Sequence, residues 1–239
     1  MFVNVAMTAD GKIATANRRV SSFSSRRDRR LLMDLRAQAD AVMAGARTVD
    51  SNRVTLGPGS ARHRRRRLRQ GLAEHNLRVV VSGSGTLNPR AAIFQTRNSP
   101  LIILTSGRAT PGRLKRLARL ADEVKVCGGR ELDILEALRW LRRAWGVKRL
   151  LCEGGGELND ALFRAGAVDE LHLTVCPKIF GGKAAPTVAG GLGMGGLDNA
   201  VRLRLKSVKR YGAELFLVYR VVRSALRARS QSKSDKRLR

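Results

Sequence analysis

Leu151-Cys152-Glu153-Gly154-Gly155-Gly156-Glu157-Leu158 joins two kinds of segment. The apolar run Val147 to Cys152 leads into it and reads as a strand. Leu158 to Ala165 leads out of it and reads as a helix. Between them stand an acid and three residues with no side chain. Glycine lets the backbone approach a ligand closely, and unpaired N–H groups at a helix start attract anions. The stretch fits a phosphate seat, with Glu153 beside whatever the phosphate carries. A tight strand-to-helix turn is the plainer alternative, and a lone Gly-Gly-Gly does not separate the two.

Outward from this turn, strand-like and helix-like segments alternate. Phe2 to Met7, Asp40 to Ala44, Leu77 to Val81, Leu101 to Thr105 and Glu123 to Cys127 are short apolar runs. Ser25-Arg26-Arg27-Asp28 has capping-box spacing, with Asp in the usual Glu or Gln place, and opens a helix through Leu31, Leu32 and Leu35. Pro111 starts another, with Leu114 and Leu117 on its core side. Leu132, Leu135, Leu138 and Leu141 make a helical stripe. Asp169 to Val175, Val201 to Ser207 and Leu215 to Val222 read as strands, the last two joined through Tyr211-Gly212-Ala213. Repeated βα units followed by an antiparallel pair predict an α/β sandwich around one mixed, mostly parallel sheet. Residues 1–222 form one domain on this reading. From Arg223 apolar content collapses, which predicts a disordered basic tail over 223–239.

Composition narrows the function classes. The chain has 239 residues and needs no covalent staples to hold a core of that size. Its three cysteines, Cys127, Cys152 and Cys176, lie singly in apolar runs and read as buried thiols of a reducing, cytoplasmic compartment. The three histidines make no cluster, so metal chemistry is not expected. No run approaches a membrane span. The formal charge is +28. Arg62 to Arg69 and the segment 223–239 each supply six, which leaves about +16 on the body. Such a field favours anionic ligands and non-specific nucleic-acid contact. Aromatics are sparse and absent from the Arg clusters, so specific nucleic-acid binding is not expected.

Five motifs, in order, make the chain resemble the riboflavin-pathway pyrimidine reductases. They are Met7-Thr8-Ala9-Asp10-Gly11-Lys12-Ile13-Ala14, Leu35-Arg36 to Gly45 with Thr48-Val49, the glycine turn after Glu153, Gly166 to Leu171, and Pro177-Lys178-Ile179-Phe180-Gly181-Gly182-Lys183-Ala184-Ala185-Pro186. The match covers about residues 2 to 222. It is nearest in flavour to the stand-alone archaeal-type enzyme, since the zinc signature of the fused bacterial deaminase is missing.

The resemblance implies a dihydrofolate-reductase-like fold, and hydride transfer from NADPH (NADH being the alternative) to C1′ of a ribosylaminopyrimidine 5′-phosphate. The ribose opens to a ribityl chain, and the protein's work is mainly alignment. The substrate is either the diaminopyrimidinone or the deaminated uracil. Lys12 and Glu153 are then the catalytic positions. Asp10, Lys12, Arg36 and Glu153 are the substrate contacts, with Asp10 also suited to anchoring its turn. Thr48, Asn52, Ser82, Ser84, Gly154, Gly155, Gly156, Glu157 and Leu158 are the cofactor contacts. The chain departs from the family pattern in two places: Asn52 stands where it has an acid, followed by Arg53-Val54 in place of Asp-Pro, and Ser82 stands where it has Asp. The family also implies a homodimer. Two other readings stand beside this one: a reductase of another small pyrimidine or pterin on the same fold, and a basic nucleic-acid-binding protein with a relict reductase fold.

Overall fold

Each apolar run anticipated from the sequence contributes a strand, and the strands join one sheet. The structure, a computed structural model, describes residues 1–18, 23–51 and 54–222. The expected basic tail and Asn52 lie outside the described residues. In chain order the elements are β1 (Phe2–Thr8), α1 (Arg26–Arg36), β2 (Ala41–Gly45), α2 (Ala46–Ser51), α3 (Ala61–Arg69), β3 (Leu77–Val81), α4 (Ala92–Gln95), β4 (Leu101–Thr105), α5 (Pro111–Leu117), β5 (Glu123–Val126), α6 (Ile134–Trp145), β6 (Leu150–Cys152), α7 (Gly156–Arg164), β7 (Glu170–Cys176), β8 (Leu203–Tyr211) and β9 (Glu214–Val221).

The strand order is β5-β4-β3-β2-β6-β1-β7-β9-β8. Strands β1 to β7 run parallel, and β9 is antiparallel to both β7 and β8. The expected α/β class and its antiparallel C-terminal pair hold. Alternate strand residues feed two cores. On one face Val42, Ala44, Val80, Ile103 and Leu151 meet Leu35 of α1 and Leu117 of α5. On the other Val3, Met43, Val79, Leu104 and Cys152 meet Ile134 and Leu141 of α6 and Leu162 of α7. All three cysteines are buried thiols.

Several local expectations change. Ser25 caps α1, accepting from the Arg27 and Asp28 amides at 3.2 and 3.3 Å. Asp28 does not close the box. It accepts from the Thr174 hydroxyl at 2.6 Å, and Glu214 takes the Ser25 amide instead. On α6 the leucine stripe is only part of the buried face, with Leu138 packed against the core beside Leu141. Leu132 precedes the cap Asp133, and Ile134, Ala137 and Leu141 face the core. β6 is shorter than the run that predicted it, because the Lys148 and Arg149 amides bond to the Asp40 carboxylate.

The Arg62 to Arg69 run forms α3, but not all of it is solvated. Arg67 is 1% exposed. Its guanidinium donates to the carbonyls of Arg36, Ala39 and Ala73. The last carbonyls of a helix have no partner within it. Arg67 and the Asn76 amide, which bonds the Arg36 and Ala39 carbonyls at 2.7 Å, supply those partners at the end of α1.

Candidate active site at the carboxyl edge of the sheet

Parallel strands all end on one edge, and a ligand binds where the connection direction reverses. Here the chain steps from β1 outward through β2, β3, β4 and β5, then returns to insert β6 between β2 and β1. The switch lies at the carboxyl ends of β2, β6 and β1. The strand ends and connections there carry Gly45 to Thr48, Glu153 to Gly156 and Ala9 to Lys12.

Glu153 and Arg36, 117 positions apart, form a two-pronged ion pair. The Arg36 Nε donates to one carboxylate oxygen and Nη2 to the other. The side chains are 8% and 9% exposed. The third guanidinium nitrogen donates to the Gly57 carbonyl at 2.8 Å. The two groups are thus brought together, and each is the other's main partner.

Lys12 follows the turn after β1 and is half-buried. Its backbone bridges Thr187, and among the described residues its ammonium has no partner. Asp10 is differently placed. Its carboxylate accepts from the Thr8 hydroxyl, the Phe180 amide at 3.2 Å and the Gly181 amide at 2.7 Å. These bonds, the Thr8 hydroxyl above all, hold its pKa below the usual aspartate value. Asp10 anchors the turn to the segment after β7.

The glycine turn divides its work. Gly154 is buried. Its carbonyl accepts from the Gly45 amide at 3.1 Å and the Thr48 hydroxyl at 3.4 Å, and its amide donates to the Cys152 sulfur. Gly155, at φ +95°, is the N-cap of α7. A Cβ there would lie 3.3 Å from the Thr48 Oγ1. Gly156 is already the first helical residue, two positions before the expected start. A Cβ on it would lie 2.5 Å from the Thr187 carbonyl oxygen. Leu158 sends its side chain into the core and offers only backbone. Glu157 is exposed and ion-paired with Arg47, in the first turn of α2. Nothing in the sequence reading singled out Arg47, although its position between Gly45 and Thr48 was a signal.

Beyond β2, the β3 turn holds Ser82 and Ser84. Ser82 is buried, its hydroxyl donating to the Thr86 carbonyl at 3.0 Å. Ser84 is half-buried and bonds the Thr86 hydroxyl at 3.1 Å. Arg113 donates to the Ser84 carbonyl, and Arg108 lies beside Gly83. Asn52, the remaining candidate, is outside the described residues.

The candidates therefore fall in spatial order along one edge: Lys12 at β1, Glu153 and the glycine turn at β6, Thr48 at β2, Ser84 and its arginines at β3. At the usual strand spacing the line runs about 14 Å. A profile described as the RibD C-terminal domain matches residues 1–217. The chain belongs to that family. Among curated relatives of this RibD-type domain is the 2,5-diamino-6-ribosylamino-4(3H)-pyrimidinone 5′-phosphate reductase of Methanothermobacter thermautotrophicus. It is 34% identical over 92% of this chain and 97% of its own. The protein of the same description from Archaeoglobus fulgidus is 35% identical over 80% of this chain and 86% of its own. Among solved structures, a pyrimidine reductase-like protein from Corynebacterium diphtheriae superposes with a TM-score of 0.76. It covers 93% of this chain and 92% of its own at 22% identity, which shows a shared fold.

Proposed function

We propose that this RibD-type domain reduces a ribosylaminopyrimidine 5′-phosphate, the 2,5-diaminopyrimidinone form, to its ribitylamino product at the expense of NADPH. The observation that carries the reading is the single file along the carboxyl edge. Candidates for a phosphorylated pyrimidine stand at β1 and β6, and candidates for a dinucleotide at β6, β2 and β3. The residues fit a nicotinamide dinucleotide. Gly155 leaves an opening that a Cβ would narrow against Thr48, and the first amides of α7 have no partner within the helix. Arg108 and Arg113 add positive charge along the same line, which suits a dinucleotide carrying an extra phosphate.

When bound, the nicotinamide supplies the hydride, and the chain supplies position and a proton environment. The Lys12 ammonium, without a partner among the described residues, meets the anionic substrate and is the donor nearest β1 for the ribose oxygen that leaves C1′ as the ring opens. Glu153, gripped by Arg36, keeps lone pairs for hydroxyl or amino hydrogens of the substrate while its own charge is balanced. Asp10 and Thr48 act as positioning groups for the two turns. Transfer of deuterium from C4 of labelled NADPH to C1′ of the product, read by mass spectrometry, tests the reading. Unlabelled product, or none, overturns it.

The same reading carries a homodimer in a reducing cytoplasm. β8 is the outer strand, and Leu203, Leu205 and Val208 on it are 41%, 52% and 54% exposed. They line one face of the strand, alternating with Arg204, Lys206 and Lys209, and that apolar face, not the charged edge, suits a second copy. A solution mass of one 26.2 kDa chain at micromolar concentration would contradict this.

A further inference from the structure

The segment after β7 doubles back as a strap over α7. From Thr187 to Gly193 it touches that helix at three successive places. The Gly190 amide donates to the Gly156 carbonyl at 3.1 Å. The Asn159 side-chain amide donates to the Val188 carbonyl at 2.8 Å. The Asp160 carboxylate accepts from the Leu192 and Gly193 amides at 3.0 and 3.1 Å. The other end of the strap bridges Thr187 to Lys12, and Pro186 accepts from the Ile13 amide at 2.9 Å. One short segment thus links the β1 turn that bears Lys12 to the first turn of α7.

Burial does not hold the far end of this strap. Ala189 to Gly193 are exposed, and the Leu192 side chain is 76% exposed. Between Val188 and Met194, which pack against the core on either side, its fixed place rests on hydrogen bonds, and those to a charged acceptor are the strongest. Asp160 is that acceptor. It is 3% exposed, and Arg164 one turn later balances its charge at 2.9 Å. Nothing fits between the two: a Cβ on Gly191 would lie 2.3 Å from the Asp160 Oδ2.

We propose that Asp160 is a positioning residue for the reductase site. By holding Leu192 and Gly193 it fixes the strap that roofs Gly156, and so sets the glycine turn against Lys12. The proposal rests on the reading of the α7 N-terminus as the dinucleotide seat. Asp160 acts through the strap, its own partners being Arg164, Leu192 and Gly193.

The test compares the full chain with Asp160→Asn and Gly191→Ala. The first weakens the carboxylate's grip. The second pushes the strap away while leaving the Asp160–Arg164 pair in place. Two quantities are read: amide hydrogen exchange over 187–193, and the separate kcat and KM for NADPH. Exchange over the strap rises roughly tenfold or more in both variants. KM for NADPH rises about tenfold, and kcat stays within about twofold. Faster strap exchange with unchanged KM overturns the proposal. So does a loss of active fraction, seen as lower kcat alone, since a purely structural role gives that. A wild-type chain that neither binds nor oxidises NADPH overturns the reductase reading and this proposal with it. A wild type that turns over while both variants keep its KM overturns this proposal alone.

Discussion

Arg36 and Glu153 grip each other through both carboxylate oxygens at the switch point of the sheet, almost out of contact with water. One comes from the end of α1 and the other from the residue after β6. A pair like this fixes where α1 sits on the sheet and leaves a balanced carboxylate at the mouth of the glycine turn. Two charges held out of water are costly to separate and much less costly to replace together.

Glu153→Gln and Arg36→Met should therefore each lower stability by about 3–5 kcal/mol in urea titrations, because each strands a buried charge. The double variant Arg36→Met with Glu153→Gln should lose much less than the two single losses added together. Strict additivity would show that the pair contributes nothing as a pair.

Lys12 differs, since its ammonium has no partner among the described residues. Lys12→Met should leave the urea midpoint unchanged and lower turnover of the ribosylaminopyrimidine phosphate about 10²–10⁴-fold, the usual range for a positioned proton donor. Turnover within a few-fold of wild type would remove Lys12 from the chemistry.

Gly155 holds φ +95°, where a side chain is strained. Gly155→Ala should cost about 1–3 kcal/mol of stability. It should also raise KM for NADPH more than KM for the pyrimidine phosphate, because its Cβ would crowd Thr48. An equal rise in both would place the dinucleotide elsewhere.

The thiols give a prediction in pH. Burial pushes Cys127 up to about 11 and Cys152 and Cys176 up to about 12, from an ordinary 9.0. The fold favours the protonated form. That contribution is complete below pH 9.0 and is lost as pH climbs through 11 to 12. A disulfide reagent at about pH 8 should label none of the three in the native chain and all three in urea. Rapid labelling of the native chain would show that a cysteine is accessible.

The strands were legible because each is a short apolar run closed by a glycine or polar turn. The class of sheet followed from their alternation with helices. What stayed hidden depends on pairing across long separations. Arg36 and Glu153 were each singled out, but nothing in a linear sequence tells that they bind one another. Arg67 sat in a run that reads as a solvated face, yet unpaired carbonyls at the end of α1 draw it inside. The Leu132 to Leu141 spacing of three slips off the 3.6-residue period, so the true buried face contains Ile134 and Ala137. Asp160 carried no motif at all. Its role appears only once the glycine-rich strap has folded back onto α7.

The central claim is tested most directly by following oxidation of NADPH with the diaminopyrimidinone and the uracil forms of the ribosylaminopyrimidine 5′-phosphate in parallel. The account predicts turnover of the diaminopyrimidinone form, with a ribitylamino product. Oxidation with neither form, by a folded chain that still binds NADPH, would contradict it and leave only a dinucleotide site in search of another substrate.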